Sequence, residues 1–274
     1  MLDKKIIFIL GLGHTGTTLM EYYLSTYEGK VGIGEAYKAV RSFRENEVDS
    51  LSEYDRNTIK RSSFWSSVLA ETENYHSLED QYIGLFSYIN GANEFSEYDT
   101  IIDSSKSIDA LRLLQKHFPN NVSVVVMIKD VRSWIVSQYN NNRRKNRKIP
   151  FGYNFKLLKK WFIAYLRMKE NLELMKLNYT IVPYDVFCLN RDAIEAQLQE
   201  RFNLKGEPDF SNTNSINILG NRMKKEANKE LKIRYDYRWM KSSEWSLPWF
   251  FVPKRLKEFN YKFVWSESLE HDDK

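Results

Sequence analysis

Hydrophobic residues along the chain form several short unbroken runs, and between these runs apolar positions recur at intervals of three or four residues. The run Val122–Ile128 contains one polar residue, Ser123, and the run at residues 5–10 includes three isoleucines. Apolar runs of this length are typical of strands that are covered on both faces of a parallel sheet. Two shorter runs, at residues 100–103 and 179–182, are predicted to be further strands.

Segments with a helical spacing of apolar residues alternate with these strands. Helices are predicted at residues 17–27, 108–118, 131–137 after an N-cap at Asp130, 155–177 and 192–202, and residues 35–95 are expected to be mostly helical. This alternation predicts an α/β fold with an open parallel sheet and right-handed crossovers. No repeat, low-complexity tract or shift in composition marks a boundary, so we predict a single domain over residues 1–274.

The composition suits a globular protein that binds an anion. The chain has 274 residues, of which 42% are hydrophobic, and a formal net charge of +5 with a pI of about 9.0. A basic balance by itself does not separate a nucleotide from a nucleic acid or an acidic glycan. The single cysteine, Cys188, allows no intramolecular disulfide, and the histidines lack metal-ligand spacing, so no metal is expected.

The beginning of the chain places lysines before an apolar run, as a secretory signal does. This run is short, and it ends in a glycine-rich turn where a signal would have a small-residue cleavage site. No stretch approaches the roughly 20 apolar residues that cross a bilayer. We therefore expect a soluble, cytoplasmic protein without a membrane span.

The glycine-rich turn Gly11-Leu12-Gly13-His14-Thr15-Gly16-Thr17-Thr18 follows the first predicted strand and leads into the first predicted helix. Between a strand and a helix, successive backbone N–H groups and the helix N-terminus form a concave anion site, although an ordinary turn would also contain glycines. A nucleoside triphosphatase loop has a lysine after its last glycine, whereas this chain has Thr17. Transfer of a γ-phosphate from ATP depends on that lysine and on Mg²⁺, so the loop disfavours a kinase. A phosphosulfate donor requires less positive charge, because its terminal group carries less negative charge.

The loop and the strand at Val122–Ile128 resemble the two signatures of the sulfotransferases that use 3′-phosphoadenosine-5′-phosphosulfate (PAPS). The stretch His14-Thr15-Gly16-Thr17-Thr18 is similar to the first signature, with His14 where a lysine or arginine is more usual. The segment from Lys129 to Ser137 is similar to the second signature, in which a basic residue and a serine eight positions later hold the 3′-phosphate. Lys129 replaces the commoner arginine, and Arg132 either supplements it or is a solvated helix residue.

Three weaker matches extend the resemblance over about residues 5–225. Residues 101–107 are similar to a strand end with the sequence Asp-Ser-Ser-Lys in that family. Residues 182–185 are similar to a strand whose final tyrosine lies by the adenine. Residues 219–224 are similar to a late loop that closes over the nucleotide. The resemblance implies a three-layer P-loop-like fold, with a central parallel sheet flanked by helices, helical inserts, and an aromatic-rich extension at residues 226–274 packed on it. It implies PAPS as co-substrate, no metal, and these nucleotide-binding residues: Gly13, His14, Thr15, Gly16, Thr17, Thr18, Lys129, Ser137, Tyr184, Asn221 and Arg222.

Sulfuryl transfer to a hydroxyl group requires alignment, a base for the hydroxyl proton, and cations at the departing phosphate oxygens. The resemblance implies that Glu35 is the base, because many sulfotransferases place a Gly-Glu pair shortly after the loop helix; alternatively, Glu35 caps the next helix. His14 would either steady the bridging oxygen as an imidazolium or act as a neutral base, and we favour the first role. Lys106 would add positive charge near the sulfonate, unless it is a surface lysine. Asp103 is the second choice for the base and would otherwise orient Lys106.

The predicted function is therefore transfer of a sulfuryl group from PAPS to a hydroxyl group of a glycan, a lipid or a small alcohol. The alternative enzyme is an ATP-using P-loop kinase, and the non-enzymatic alternative is a nucleic-acid-binding module that uses the basic run at residues 140–148. For that run a solvated loop is favoured, because it lacks interleaved aromatic residues, and no specific nucleic-acid partner is expected. The aromatic residues at positions 235–252 are expected in the core or, alternatively, along an acceptor cleft.

Overall fold

The computed structural model describes residues 2–44, 61–72, 75–211, 214–218 and 232–265, together with residues 53, 56 and 57. The chain forms two compact units, each made of three stretches of sequence. The first unit comprises residues 1–10, 18–124 and 205–231, and the second comprises residues 11–17, 125–204 and 232–274. The single domain expected from the sequence stays a prediction.

A six-stranded sheet with flanking helices gives the chain the P-loop-like α/β fold that the sequence predicts. The strands are β1 (Lys5–Gly11), β2 (Lys30–Gly34), β3 (Thr100–Asp103), β4 (Val122–Ile128), β5 (Tyr179–Pro183) and β6 (Ser215–Ile218). Their order in the sheet is β5-β4-β1-β3-β2-β6. The helices are α1 (Thr17–Leu24), α2 (Ala36–Arg44), α3 (Ser63–Thr72), α4 (Leu78–Gly91), α5 (Ile108–His117), α6 (Val131–Arg144), α7 (Tyr153–Leu174), α8 (Tyr184–Leu189), α9 (Arg191–Phe202), α10 (Ser246–Phe250) and α11 (Lys254–Val264).

The strands predicted from apolar runs are confirmed, and β2 and β6 are additional. Pairing is parallel between β1 and β3, between β3 and β2, and between β2 and β6. The sequence of β2 contains two glycines among five residues, so its apolar run is too short to predict a strand. Its residues are nevertheless all buried, because β3 and β6 supply hydrogen-bond partners on both sides. The strand state of β2 is therefore decided by its neighbours.

Helix α6 is longer than the sequence predicts. It begins after Asp130, whose side chain caps it by accepting a hydrogen bond from the Arg132 N–H at 2.8 Å, and it continues to Arg144. Residues 140–144 of the basic run are therefore helical, and the expectation of a loop is wrong for them. The asparagines there are poor helix formers, so the end of the helix was placed too early. The exposed residues of the run, 143–148, are solvated as expected.

In the second unit, residues of the C-terminal segment pack against α6 and α7. The side chain of Asn260 accepts a hydrogen bond from the Val131 N–H at 3.0 Å and donates one to Asp130 at 3.1 Å. The ring of Phe259 meets the buried ring of Trp161 edge-on at 5.8 Å. These contacts fix the start of α6, the helix that carries Ser137. Among the described residues, no helix is both long and apolar enough to cross a membrane.

Candidate active site

The glycine-rich loop after β1 has a backbone that only glycine adopts easily at one critical position. Gly16 has φ of +95°, and a Cβ added there would lie 2.5 Å from Cδ2 of Tyr184. The ring of Tyr184 therefore packs directly against the loop backbone. Any side chain at residue 16 would both strain the backbone and displace this ring.

Contacts from α6 fix the orientation of the Gly13–His14 peptide. The Gly13 carbonyl accepts hydrogen bonds from Trp134 Nε1 at 2.8 Å and from Gln138 Nε2 at 3.1 Å. Because the peptide is trans, the His14 N–H points away from these donors. The hydroxyl and the N–H of Thr15 both donate to the Leu12 carbonyl, at 2.8 and 3.2 Å. Buried Thr15 thus closes the loop from inside, and α6 sets the direction of its backbone.

Beyond the end of β4, the side chains of Lys129 and Ser137 lie together, as their spacing predicts. Lys129 Nζ is 3.3 Å from Ser137 Oγ and 3.0 Å from Asp236 Oδ2, and its side chain is only 4% exposed. Lys129 Nζ also lies 4.5 Å from the centre of the Tyr184 ring, in cation–π range. The buried ammonium of Lys129 and the hydroxyl of Ser137 thus form a pocket for an anionic oxygen, and in this structure that oxygen belongs to Asp236.

Tyr184 and Asp185, at the end of β5, are both buried. Burial raises the pKa of Tyr184 well above its ordinary value, and its hydroxyl donates to the Arg234 carbonyl at 3.2 Å. Burial also raises the pKa of Asp185 to about 6, against the backbone N–H of Asp130 that donates to it at 2.8 Å. Asp185 thus positions the backbone between Lys129 and α6.

Arg132 does not supplement Lys129. Its guanidinium donates to both carboxylate oxygens of Asp130, at 2.9 and 2.6 Å. It also lies 4.3 Å from the ring centre of Trp239 and 5.1 Å from that of Trp249. Arg132 is therefore a packed residue that joins α6 to the aromatic segment, and neither of the two roles predicted from the sequence describes it.

In the first unit, Glu35 and Lys106 form an ion pair. Lys106 Nζ lies 2.6 Å from Glu35 Oε1, and their side chains are 18% and 14% exposed. Lys106 has φ of 60°, in the left-handed region, and Gly34 before Glu35 has φ of 75° at an irregularity in the pairing of β2 with β3. A positive φ is easy for Gly34 and strained for Lys106. The backbone at Gly34 and at Lys106 thus departs from the extended conformation of the strands.

Two buried carboxylates, those of Glu21 and Asp103, contact the residues that precede Glu35 and Lys106 in the chain. Glu21 accepts hydrogen bonds from the Gly34 N–H and from the Ser104 hydroxyl, both at 2.6 Å. Asp103 accepts from the N–H of Ser105 at 2.8 Å and from Tyr82 Oη at 2.5 Å. Burial raises the pKa of Asp103 to about 7.

These two carboxylates hold the residues next to Glu35 and next to Lys106, so they position the pair through the backbone. The side chain of Lys106 contacts Glu35, whereas the hydrogen bonds of Asp103 go to Ser105 and Tyr82.

The structure groups most of the predicted site residues into two sets, one in each unit. Gly13 to Thr17, Lys129, Ser137 and Tyr184 belong to the second unit, and Thr18, Glu35 and Lys106 belong to the first. Asn221 and Arg222 lie outside the described residues. Within the described part of the chain, no group of three or more potential ligands could hold a metal ion.

Sequence reasoning missed Glu21 and Asp236. Glu21 is fully buried within α1, and the one available signal was an acidic residue flanked by apolar residues on both sides. Asp236 gave no signal, because it lies 107 positions from Lys129.

A P-loop-like α/β fold with a glycine-rich loop after β1 is compatible with many functions, so the fold by itself does not name one. Comparison with family profiles is more specific, because the profile described as the sulfotransferase family matches residues 7–208. The chain therefore belongs to the sulfotransferase family. Comparison with curated proteins gives no match.

Solved structures of sulfotransferases share the fold. The sulfotransferase domain from the curacin biosynthetic pathway superposes with a TM-score of 0.54 at 14% identity, covering 94% of this chain and 96% of that one. The sulfotransferase domain of the Synechococcus PCC 7002 olefin synthase gives 0.53 at 12% identity, with 97% of each chain covered. A sulfotransferase from Alicyclobacillus acidocaldarius gives 0.50 at 14% identity, covering 93% of this chain and 95% of that one. At these identities the likeness establishes the fold.

Proposed function

We propose that this sulfotransferase moves a sulfuryl group from PAPS to a hydroxyl group of its acceptor. The observation that carries the proposal is the pocket of Lys129 and Ser137, where a buried ammonium and a hydroxyl hold a carboxylate oxygen of Asp236. A 3′-phosphate presents oxygens of the same charge sign, and ATP has no such group. A nucleotide that is phosphorylated at the ribose 3′ position would supply such an oxygen, and this supports PAPS as the donor.

The residues of the glycine-rich loop fit the 5′ end of this donor. The loop backbone is fixed by α6 through Gly13 and closed by Thr15, so its remaining N–H groups are preorganised for an anion. PAPS supplies a sulfuryl group attached to a phosphate leaving group. We propose that His14, as an imidazolium, stabilises the negative charge on the departing phosphate oxygens. We also propose that the N-terminus of α1, at Thr17 and Thr18, contributes its positive dipole there. No metal is invoked in this scheme.

We propose Glu35 as the base that accepts the proton of the acceptor hydroxyl. Its side chain is only 14% exposed, and Oε1 lies 2.6 Å from Lys106 Nζ. Lys106 contacts Oε1, and Lys38 Nζ lies 3.8 Å from Oε2. Lys106 in this scheme orients the base and adds positive charge. We propose a glycan, a lipid or a small alcohol as acceptor, to be identified by a screen with labelled donor, and a cytoplasmic location stays a prediction.

The donor assignment is tested by thermal unfolding with adenosine 3′,5′-bisphosphate in the absence of metal. A ligand at a hundredfold excess over its Kd stabilises the native state by about 2.7 kcal/mol, so a clear rise in Tm is expected. ATP with Mg²⁺ should raise the Tm less. If the bisphosphate gives no shift, PAPS is not the donor, and a larger shift with ATP and Mg²⁺ would support the kinase alternative.

The base assignment is tested with Glu35→Gln. We expect turnover to be abolished and binding of the bisphosphate to stay nearly unchanged, because the substitution removes the proton acceptor and keeps the shape. Glu94→Gln, on an exposed residue of the same unit, is the control and should leave both unchanged. Turnover that survives in Glu35→Gln would move the role of base to Asp103 or His14.

A further inference from the structure

Asp236 stands at the beginning of a short 3-10 turn, Tyr237–Lys241, in the aromatic segment. Its Oδ2 is 3.0 Å from Lys129 Nζ and 3.4 Å from Ser137 Oγ, and these two atoms are 3.3 Å from each other. The carboxylate thus completes a triangle with the two side chains that the proposed function assigns to the 3′-phosphate. Its side chain is only 13% exposed.

We propose that Asp236 is an internal competitor for the 3′-phosphate, and that its carboxylate sets how strongly the protein binds and selects 3′-phosphorylated nucleotides. This inference rests on the proposed function. A phosphate oxygen that bonds Lys129 and Ser137 would lie where Oδ2 lies, and the two anions would repel each other at that separation. Donor binding therefore requires the carboxylate to move out of the pocket.

The charge of Asp236 makes this competition effective. Burial by itself would raise the pKa of Asp236, but hydrogen bonds from Arg238 and Lys129 outweigh burial and hold this pKa well below its usual range. The carboxylate is therefore ionised at neutral pH. It neutralises Lys129, which would otherwise be a buried and unpaired cation.

Arg238 makes the movement of Asp236 feasible. Its guanidinium donates from Nε to Oδ1 at 2.6 Å and from Nη2 to Oδ2 at 2.8 Å, and its side chain is 60% exposed. When the carboxylate turns away from Lys129, it keeps this counter-ion at the surface. The incoming phosphate replaces a single negative charge at Lys129 by nearly two, so this buried cation still has an anionic partner after the exchange.

The neighbours of Asp236 are anchored, so the exchange needs only a local change. The Arg234 carbonyl accepts a hydrogen bond from Tyr184 Oη at 3.2 Å, and Trp239 packs under the guanidinium of Arg132 at 4.3 Å. Between these anchors, the Asp236 side chain also accepts a hydrogen bond from the Arg238 N–H at 3.4 Å, which caps the 3-10 turn. Displacement of the carboxylate by a phosphate therefore removes the cap of this turn.

The test is calorimetric titration of the full chain and of Asp236→Asn with adenosine 3′,5′-bisphosphate and with AMP, which lacks the 3′-phosphate. We expect Asp236→Asn to bind the bisphosphate about tenfold more tightly than the parent chain does, because a like charge has been removed from the pocket. AMP affinity should stay within about twofold. Asp192→Asn, on an exposed carboxylate of the same unit, should leave both affinities unchanged.

The outcomes separate this proposal from the proposed function. If the parent chain binds the bisphosphate no better than AMP and Asp236→Asn gives no gain, the donor assignment itself fails. If the parent chain prefers the bisphosphate and Asp236→Asn leaves that preference unchanged or weakens it, Asp236 is a structural partner of Lys129 and the competition proposal is overturned.

A second measurement uses the unmodified chain, in case Asp236→Asn folds poorly. Hydrogen–deuterium exchange of the peptide that contains residues 237–241 should become faster when the bisphosphate is added, because the cap of the turn is lost. AMP should not change it. Slower or unchanged exchange with the bisphosphate would mean that Asp236 stays in place and would contradict the proposal.

Discussion

At the scale of single residues, backbone strain distinguishes two of the proposed catalytic side chains. His14 and Lys106 have φ of 74° and 60°, in the left-handed region that non-glycine residues avoid. In the described part of the chain, the other non-glycine residues of this kind are Asn146, Lys176 and Asn203, which follow the C-terminal ends of helices, where such a conformation is common. His14 and Lys106 do not end a helix. Strain of this kind persists where the surroundings impose it, which is frequent at functional sites.

Replacement of Gly16 by alanine tests the contact between the loop and Tyr184. The new methyl group would meet the ring at 2.5 Å with φ held at +95°, so we expect Gly16→Ala to lower the free energy of unfolding by about 1–3 kcal/mol. Urea unfolding measures the change. Gly13→Ala is the matched control, because nothing lies within 4 Å of a Cβ there, and it should change stability much less. Equal effects of the two substitutions would contradict this account of the loop.

Replacement of Glu21 by glutamine tests how the base is positioned. Glutamine keeps an acceptor for the Gly34 N–H and places a donor where the Ser104 hydroxyl now donates, so the backbone before Glu35 should loosen. We expect kcat to fall about tenfold with the Kd for the bisphosphate unchanged, since binding does not involve this residue.

The exposed residue Glu28 provides the control, and Glu28→Gln should keep the parent kcat. A Glu21→Gln chain that loses stability and donor binding together with kcat would indicate a general structural role.

At the scale of elements, several of the proposed site residues follow the carboxyl ends of strands. The glycine-rich loop follows β1, Glu35 follows β2, Lys106 lies shortly after β3, and Lys129 follows β4. In parallel α/β sheets this is the end at which ligands bind, because successive crossover connections leave their loops there. The placement was predictable once the apolar runs were identified as parallel strands.

The start of α6 depends on Asn260, which comes from α11. Asn260→Ala would leave the Val131 N–H and one oxygen of Asp130 without this partner in a buried environment, so we expect a loss of about 1–3 kcal/mol in the free energy of unfolding. Urea unfolding again gives the value. The exposed Asn190 does not cap α9 with its side chain, so Asn190→Ala should cost less than about 0.5 kcal/mol. A stable Asn260→Ala chain would mean that other groups satisfy the start of the helix.

At the scale of the whole molecule, the buried carboxylate of Asp103 links stability to pH. Its pKa is about 7 in the folded chain, against an ordinary value of 3.8. Between these two values the unfolded chain has lost the proton that the folded chain keeps, so the contribution of Asp103 to stability decreases as pH rises through this window. It is largest below the ordinary value and has been lost above about pH 7.

Asp103→Asn removes this dependence. From about pH 5 to about pH 8, the free energy of unfolding of the parent chain should fall relative to that of Asp103→Asn, because the asparagine does not ionise. Urea unfolding of both chains at several pH values measures the difference, in which titrations common to both, such as that of Asp185, cancel. A difference that does not vary with pH would show that Asp103 is ionised over the whole range.

Much of the sheet could be predicted from the sequence, because β1, β3, β4 and β5 carry apolar runs whose residues are mostly buried. β2 and β6 could not, since glycines interrupt β2 and β6 has only four residues. Their strand pairing is supplied by neighbours that lie far away in the sequence.

The sequence by itself determined the local geometry of the proposed donor site. Spacing along a strand and the following helix brings Lys129 to Ser137, and the order of glycines and threonines after β1 shapes the loop, because both depend only on short-range backbone geometry. Only the tertiary structure decided which side chains contact these groups. Asp236 against Lys129, Glu21 against Gly34 and Lys106 against Glu35 join distant parts of the chain, and such contacts follow from how the elements pack.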